Sequence, residues 1–337
     1  MRLWVRARWR HHQLIVNPRS PVLVVGSLGL DTLKTPFGEA HEILGGTTSY
    51  FSLAARMYTD VRVVAVVGHD FPQEYRDLLE SGSVDLRGLQ VTEGKTFRWS
   101  GQYRFDMNVA ETLDTQLNVF ADFHPRLPED YRRTQYVFLA NIHPALQLEV
   151  LEQVQQPKLV VADSMNLWID TAKPTLTEVL RRADVVLLND GEVRQYAGSA
   201  NLIAGGRAIL DLGPRAVVIK KGEHGALLIS RDDGVFVAPA FPQDEVRDPT
   251  GAGDSFAGGF VGYLASRDDV SSEAIRRAII HGCAVASFTV EDFGVRRLAE
   301  VTSRELLARY SVFRSLTQFV DEQVTADSRS EGRQKIR

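Results

Sequence analysis

Short apolar runs rich in β-branched residues alternate with helical stretches through the middle of this chain, and that alternation is what most narrows its fold. The run VLVV at 22–25 ends in Gly26 and has the look of a strand buried on both faces. After Gly45-Gly46, the segment 47–58 has helical composition and leads into an apolar strand at 61–67. Further strands are expected at 136–140, 159–162, 185–188, 216–220, 226–230 and 235–238, with helices at 146–154, 176–183 and 206–212 between several of them. Strands alternating with helices predict βαβ units and an α/β fold whose mostly parallel sheet is covered by helices. Ligands of such sheets bind beyond the carboxyl ends of the strands. Two segments near 31–44 and 96–110 are extended and partly polar, as expected of a small β-sheet lid.

Composition removes several classes of function. A chain of 337 residues with 44% hydrophobic residues can bury a large core without covalent staples. The single cysteine, Cys283, excludes an internal disulfide and a zinc-finger scaffold, and points to a reducing, cytoplasmic setting. Lys and Arg total 39 against 43 acids, a net charge of −4 that argues against a nucleic-acid-coating protein. No apolar run approaches the ~20 residues of a membrane span. Residues 1–20 hold five arginines and no acid, and are expected to form a disordered arm rather than a targeting signal. The main unit is expected over 21–310, with a helix end and a polar tail at 311–337.

The stretch from Asp248 to Phe260, DPTGAGDSFAGGF, is the most informative. Pro249 disfavours helix at Asp248 and opens a turn. Gly251 and Gly253 allow unusual dihedrals and close approach to a ligand, and the residues after Asp254 continue as a helix. Backbone N–H groups and the helix dipole then converge into a phosphate-binding hole. An acid there would repel a merely bound phosphate, but it makes sense as a base that takes a proton from an attacking hydroxyl. The plainer reading of Asp254 is a helix cap.

This string resembles the carboxy-terminal signature of the PfkB carbohydrate kinases of the ribokinase-like superfamily. The resemblance extends over about 22–300. Val24-Val25-Gly26-Ser27 through Asp31, the pair Gly45-Gly46, Gly68-His69-Asp70, Asn189-Asp190-Gly191-Glu192, the segment 221–226 and the stretch 281–294 follow the family's motifs in order. It implies a three-layer ribokinase-like fold and an enzyme that transfers the γ-phosphoryl of ATP to an alcohol. In that reading Asp254 is the catalytic base, and Gly251, Ala252 and Gly253 supply the anion-hole amides. Asn189 and Glu192 would organise Mg2+ through water. Lys221, Gly222, Gly225 and His281 would line the nucleotide site. Asp31, Gly45 and Gly46 would meet the substrate. Asp248 and Thr250 match positions near which family members often hold a monovalent cation such as K+. A homodimer formed through the lid is common in the family. Taken alone, N-x-x-E is an ordinary helix start, and 221–225 is an ordinary turn between strands.

One position departs from the family pattern. Tyr50 stands where an Asn is frequent, five residues after Gly45, and a phenol offers a ring and one hydroxyl in place of an amide. The acceptor is expected to be a sugar, with a nucleoside as the alternative and a non-catalytic nucleotide or sugar sensor as a third reading. In the expected lid, Phe97, Trp99, Tyr103 and Phe105 form an aromatic face that would stack on a substrate, pack a core or meet a second copy. Asp163 follows a strand and could approach the substrate or serve a turn. His143 before Pro144 is expected to be a satisfied loop residue, and the Arg181-Arg182 and Arg296-Arg297 pairs solvated charge.

Overall fold

Every apolar run named above forms a strand, and the registers gather most of them into one sheet. The computed structural model describes residues 20–318; the basic arm expected at 1–20, Ser20 apart, and the polar tail beyond 318 lie outside the described residues. Strand β1 (Val22–Val25) is followed by β2 (Gly29–Thr35) and β3 (Gly38–Gly45) of a small sheet, then by α1 (Thr47–Ala55), β4 (Val61–Gly68), α2 (Gln73–Glu80) and β5 (Val84–Thr92). The small sheet is completed by β6 (Phe97–Tyr103) and β7 (Ala110–Gln116). The chain then re-enters the large sheet through β8 (Tyr136–Leu139), α3 (Pro144–Gln153), β9 (Leu159–Asp163), α4 (Asn166–Thr171), α5 (Lys173–Arg182) and β10 (Val185–Asn189). It continues through α6 (Asp190–Ala197), α7 (Leu202–Leu210), β11 (Ala216–Lys220), β12 (Ala226–Ser230) and β13 (Gly234–Ala238). Four helices close it: α8 (Ala252–Arg267), α9 (Ser272–Thr289), α10 (Arg296–Glu300) and α11 (Ser303–Leu316).

The large sheet has nine strands in the order β13-β12-β11-β10-β9-β8-β1-β4-β5, and all neighbours pair in parallel except at β12 and β13. The chain moves from β1 outward through β4 and β5, then returns to the other side of β1 with β8. The switch point therefore lies between β1 and β8, where ligand clefts of open α/β sheets form. Side-chain alternation divides the core into two layers. Val22, Val24, Val161, Leu187 and Val218 face the helices α1, α8 and α9, whereas Leu23, Val25, Val160, Val186 and Val217 face α3, α5 and α7.

Strands β1, β11 and β12 have the bounds that their composition predicts, and the other expected strands differ by a residue or so at an end. Two elements escape the periodicity. Strand β5 is a sheet edge with polar residues among its apolar ones, and α2 buries only Leu79. The Arg297 of the second arginine pair is not a free solvated charge: it bonds Glu291 at 2.8 Å and Glu305 at 2.7 Å, tying α11 to the end of α9.

Phe51 of α1 stacks on Phe138 of β8 with ring centroids 4.4 Å apart, and both are fully buried between sheet and helix layer. Replacing Phe138 with Ala is expected to cost about 3–5 kcal/mol in denaturant unfolding, because the rigid layers cannot collapse onto the cavity.

Candidate active site

The carboxyl ends of the parallel strands carry the polar residues of the site, and the alternation of each strand decides which way they face. Asp163, Asn189 and Lys220 are the last residues of β9, β10 and β11, with Asn189 opposite Lys220 in the sheet register. Each lies two residues after a core residue of the α8 side, Val161, Leu187 or Val218, so each points toward that helix layer. The amino terminus of α8 is the element that meets them.

The turn before α8 is built as the sequence implies. Gly251 has φ 72°, a left-handed conformation, and the Tyr50 ring occupies the space a Cβ would take there. Asp248 fixes the turn from the other side: its carboxylate accepts from Thr250 N at 2.9 Å and from Gly294 N at 2.8 Å. Ala252 N bonds Pro249 O, and the helix ladder begins with Ser255 N on Gly251 O at 2.8 Å. The N–H groups of Gly253 and Asp254 therefore have no carbonyl four residues back within the helix, which leaves them available to an anion.

Asp254 stands in the first helical turn, partly buried. Burial, followed by the nearby Asp163 charge, pushes its carboxyl up to about 8, while Lys220 pulls the other way. Lys220 is the cation around which the cluster is arranged. Its Nζ bonds Asp163 Oδ2 at 2.7 Å and lies 3.3 Å from where a Cβ on Gly253 would be. Burial opposes the Lys220 charge, but Asp163, Glu192 and Asp254 outweigh it and hold its pKa above the ordinary lysine value. The sequence reading named Lys221 for the nucleotide site and did not single out Lys220. In the structure Lys221 starts the turn between β11 and β12, donating its backbone N–H to Gly225 O at 2.8 Å. The signal for Lys220 was present: a lysine ending an apolar strand at an inward-facing step.

Asn189 and Glu192 form a capping box at the start of α6. Glu192 N donates to Asn189 Oδ1 at 2.7 Å, and the Glu192 carboxylate accepts from Asn189 N at 2.6 Å and Nδ2 at 2.7 Å. The helix-start reading of N-x-x-E is thus realised, yet the Glu192 carboxylate is buried beside Lys220 and Asp163, and burial raises its pKa. Among the described residues no three His, Cys, Asp or Glu side chains gather into a cage for a metal ion. One buried carboxylate with its amide partner fits Mg2+ held mainly by phosphate and water.

The residues expected to meet the acceptor lie beneath the small sheet. Asp31 on β2 is 4% exposed, and its carboxyl fills the space where a Cβ on Gly45 would be. Burial, followed by Asp248, pushes it up to about 7, while the Gly46 N–H partly stabilises its charge. Tyr103 on β6 accepts from the Thr250 hydroxyl at 3.2 Å, and the hairpin beyond it brings Asn108 within 3.4 Å of a Cβ on Gly222. The small sheet therefore spans from the anion turn to the 221–225 turn. Of its aromatic residues, Phe97 packs on Phe120, Trp99 bonds Thr112, Tyr103 is buried, and Phe105 is 96% exposed.

His281 is not brought to this cluster. It lies between the rings of Tyr263 and Tyr310, at 4.2 and 4.3 Å, with Nδ1 at 3.0 Å from Tyr58 Oη. Tyr263 is about 13 Å along α8 from Asp254. His143 caps α3, accepting from Ala145 N at 3.2 Å.

Comparison with known proteins agrees with this arrangement: residues 40–301 match the pfkB family carbohydrate kinases. The chain belongs to that family. It is a kinase of the sugar and nucleoside kind, a phosphotransferase acting on a hydroxyl group. Kinases of this family use ATP with Mg2+. The cytidine kinase of Thermococcus kodakarensis is 29% identical over 250 residues, 73% of this chain and 89% of that protein. A nucleoside kinase of Methanothermobacter thermautotrophicus is 27% identical over 277 residues, 78% of this chain and 83% of that protein. The crystal structure of the Methanocaldococcus jannaschii nucleoside kinase, described as an archaeal member of the ribokinase family, superposes with TM-score 0.71 at 19% identity, covering 87% of this chain and 98% of that one. An E. coli structure in complex with ATP and Mg2+ superposes with TM-score 0.71 at 18% identity, covering 88% of this chain and 99% of that one. Among the described residues, no helix is long and apolar enough to cross a membrane.

The raised carboxyls of this pfkB-family kinase make a stability prediction. Asp31 and Asp254 bind protons more tightly folded than unfolded, so their contribution is fully present below about pH 4 and is lost as pH rises through about 7 and 8. His281, held neutral by burial with its pKa lowered to about 3, acts oppositely below its unfolded value of about 6.5. Two raised carboxyls outweigh one histidine, so these groups are expected to make the ligand-free protein lose stability from about pH 4 upward, with Tm falling by roughly 2–4 °C between pH 7 and 8.5. Asp254→Asn should flatten that alkaline limb. An unchanged limb would mean that Asp254 ionises normally.

Proposed function

We propose that this protein phosphorylates a nucleoside, moving the γ-phosphoryl of ATP to a ribose hydroxyl with Asp254 as the general base. The observation that carries the reading is the position of Asp254: one turn of helix presents a carboxylate and free N–H groups together, above the buried Lys220. The acceptor, held through its other hydroxyls by Asp31, would give the proton of its attacking hydroxyl to Asp254 as that oxygen attacks the γ-phosphorus and ADP departs. The amides of Gly253 and Asp254 would receive the charge on the transferred group, with Lys220 behind them. Asn189 and Glu192 would hold Mg2+ through water, and the ion when bound neutralises phosphate oxygens. Lys221, Gly222 and Gly225 would border the nucleotide under the tip of the small sheet, with Gly45 and Gly46 leaving room for the acceptor.

The nucleoside choice is supported by the cytidine and nucleoside kinases among the relatives, which match most of their own length. A free sugar is the second reading, favoured by the match to carbohydrate kinases. Release of ADP from Mg-ATP, measured against cytidine, other nucleosides, ribose and inositol, separates the two.

Asp254→Asn is expected to lower kcat by about 10²–10⁴-fold while ATP affinity changes only a few-fold. Turnover retained in that variant would refute the assigned base. Because Asp254 must be ionised to act and its pKa is raised, activity should fall with acidification well above the ordinary carboxylate range, and a flat profile between pH 5 and 8 would contradict this. Asp31→Ala should raise KM for the acceptor much more than KM for ATP, and equal losses would make Asp31 structural.

A further inference from the structure

We infer that Tyr50 is a specificity-determining residue whose hydroxyl bonds a non-reacting hydroxyl of the acceptor, opposite Asp31. The inference rests on the proposed function and deepens it. Tyr50 is 1% exposed on α1, its ring lies against Gly251 of the anion turn, and its hydroxyl has no hydrogen-bond partner in the structure. The polar groups around it have partners of their own, and none of them bonds this hydroxyl. Tyr103 Oη accepts from Thr250, and Asp248 is bonded by two backbone N–H groups. Asp31 takes the Gly46 N–H and keeps accepting capacity.

A buried hydroxyl without a partner destabilises a fold, so the group that completes it is to be sought in what binds there. Burial, followed by Asp248, Asp31, Tyr103 and Asp254, pushes the phenol well above its usual pKa, so it stays a donor through the physiological range. Once ionised, above about pH 7, Asp31 can only accept. A ligand group that receives a hydrogen from Tyr50 and gives one to Asp31 must do both, and an alcohol does. A carbonyl cannot donate and an ammonium cannot accept. An acceptor that carries further hydroxyls in addition to the one phosphorylated, as a riboside does, has the chemistry these two residues read.

The test is a cycle of Tyr50→Phe against acceptor hydroxyls. Wild type and variant are assayed for ADP release with cytidine, 2′-deoxycytidine and 3′-deoxycytidine. Tyr50→Phe is expected to lower kcat/KM for cytidine about 10- to 100-fold and to leave one of the deoxy analogues within about threefold, since the partner hydroxyl is already missing. Equal loss on all three, or no loss on any, overturns the inference. The ligand-free variant should melt at the same temperature as wild type or a few degrees higher, because it sheds an unsatisfied buried group. A clear fall in Tm would assign the hydroxyl to the fold and overturn the inference. If the wild type ignores nucleosides but phosphorylates ribose, the nucleoside reading alone fails, and ribose against 2-deoxyribose then decides the role of Tyr50.

Discussion

One buried ion pair organises this site. Lys220 and Asp163, at the carboxyl ends of β11 and β9 on either side of β10, are 2.7 Å apart with little access to water. A pair so placed contributes little net stability, because desolvation offsets most of its attraction. Its importance lies in what surrounds it. Asp254 and Glu192 both stand within reach of the same lysine charge, and without it three carboxylates would face one another at the end of α8. The sheet tolerates that concentration of acid because one cation is held among them by the strand register.

The consequence is a site that is electrostatically incomplete when empty. The carboxyls of Asp31 and Asp254 are both raised, which is the mark of charge placed where water is scarce. The donors that meet them are fixed in advance: the helix amides, the Lys220 ammonium and the Gly46 N–H. Preorganised donors of this kind cost no rearrangement when charge develops on a transferred group.

Much of this was legible in the residues. The sheet could be read because its strands are continuous apolar runs, and the anion turn because Pro249, Gly251 and Gly253 admit few other backbones. Asp254 drew notice because an acid in the first helical turn after a glycine-rich loop asks for a chemical reason. Lys220 was missed, since a lysine at a strand end looks like solvated charge until the facing of Val218 is known. His281 was misplaced for the opposite reason. Its motif lies on α9, which runs antiparallel to α8, so that Thr289 reaches Ser255 while His281 is carried away into an aromatic stack. Strand β5 and helix α2 escaped because edge elements have weak periodicity, and the pairing that creates them is not local.

The fully buried Asp248 joins parts of the molecule that belong to different substrates. One oxygen holds the backbone of the anion turn, and the other holds Gly294, whose own Cα stands against Ile43 of the small sheet. With acceptor and phosphate bound as proposed, a shift of the small sheet would be transmitted through a single carboxylate to the turn before α8. The two substrates would then not bind independently. Whatever free energy the acceptor contributes to shaping the anion turn, the nucleotide must return in equal measure to the acceptor's affinity.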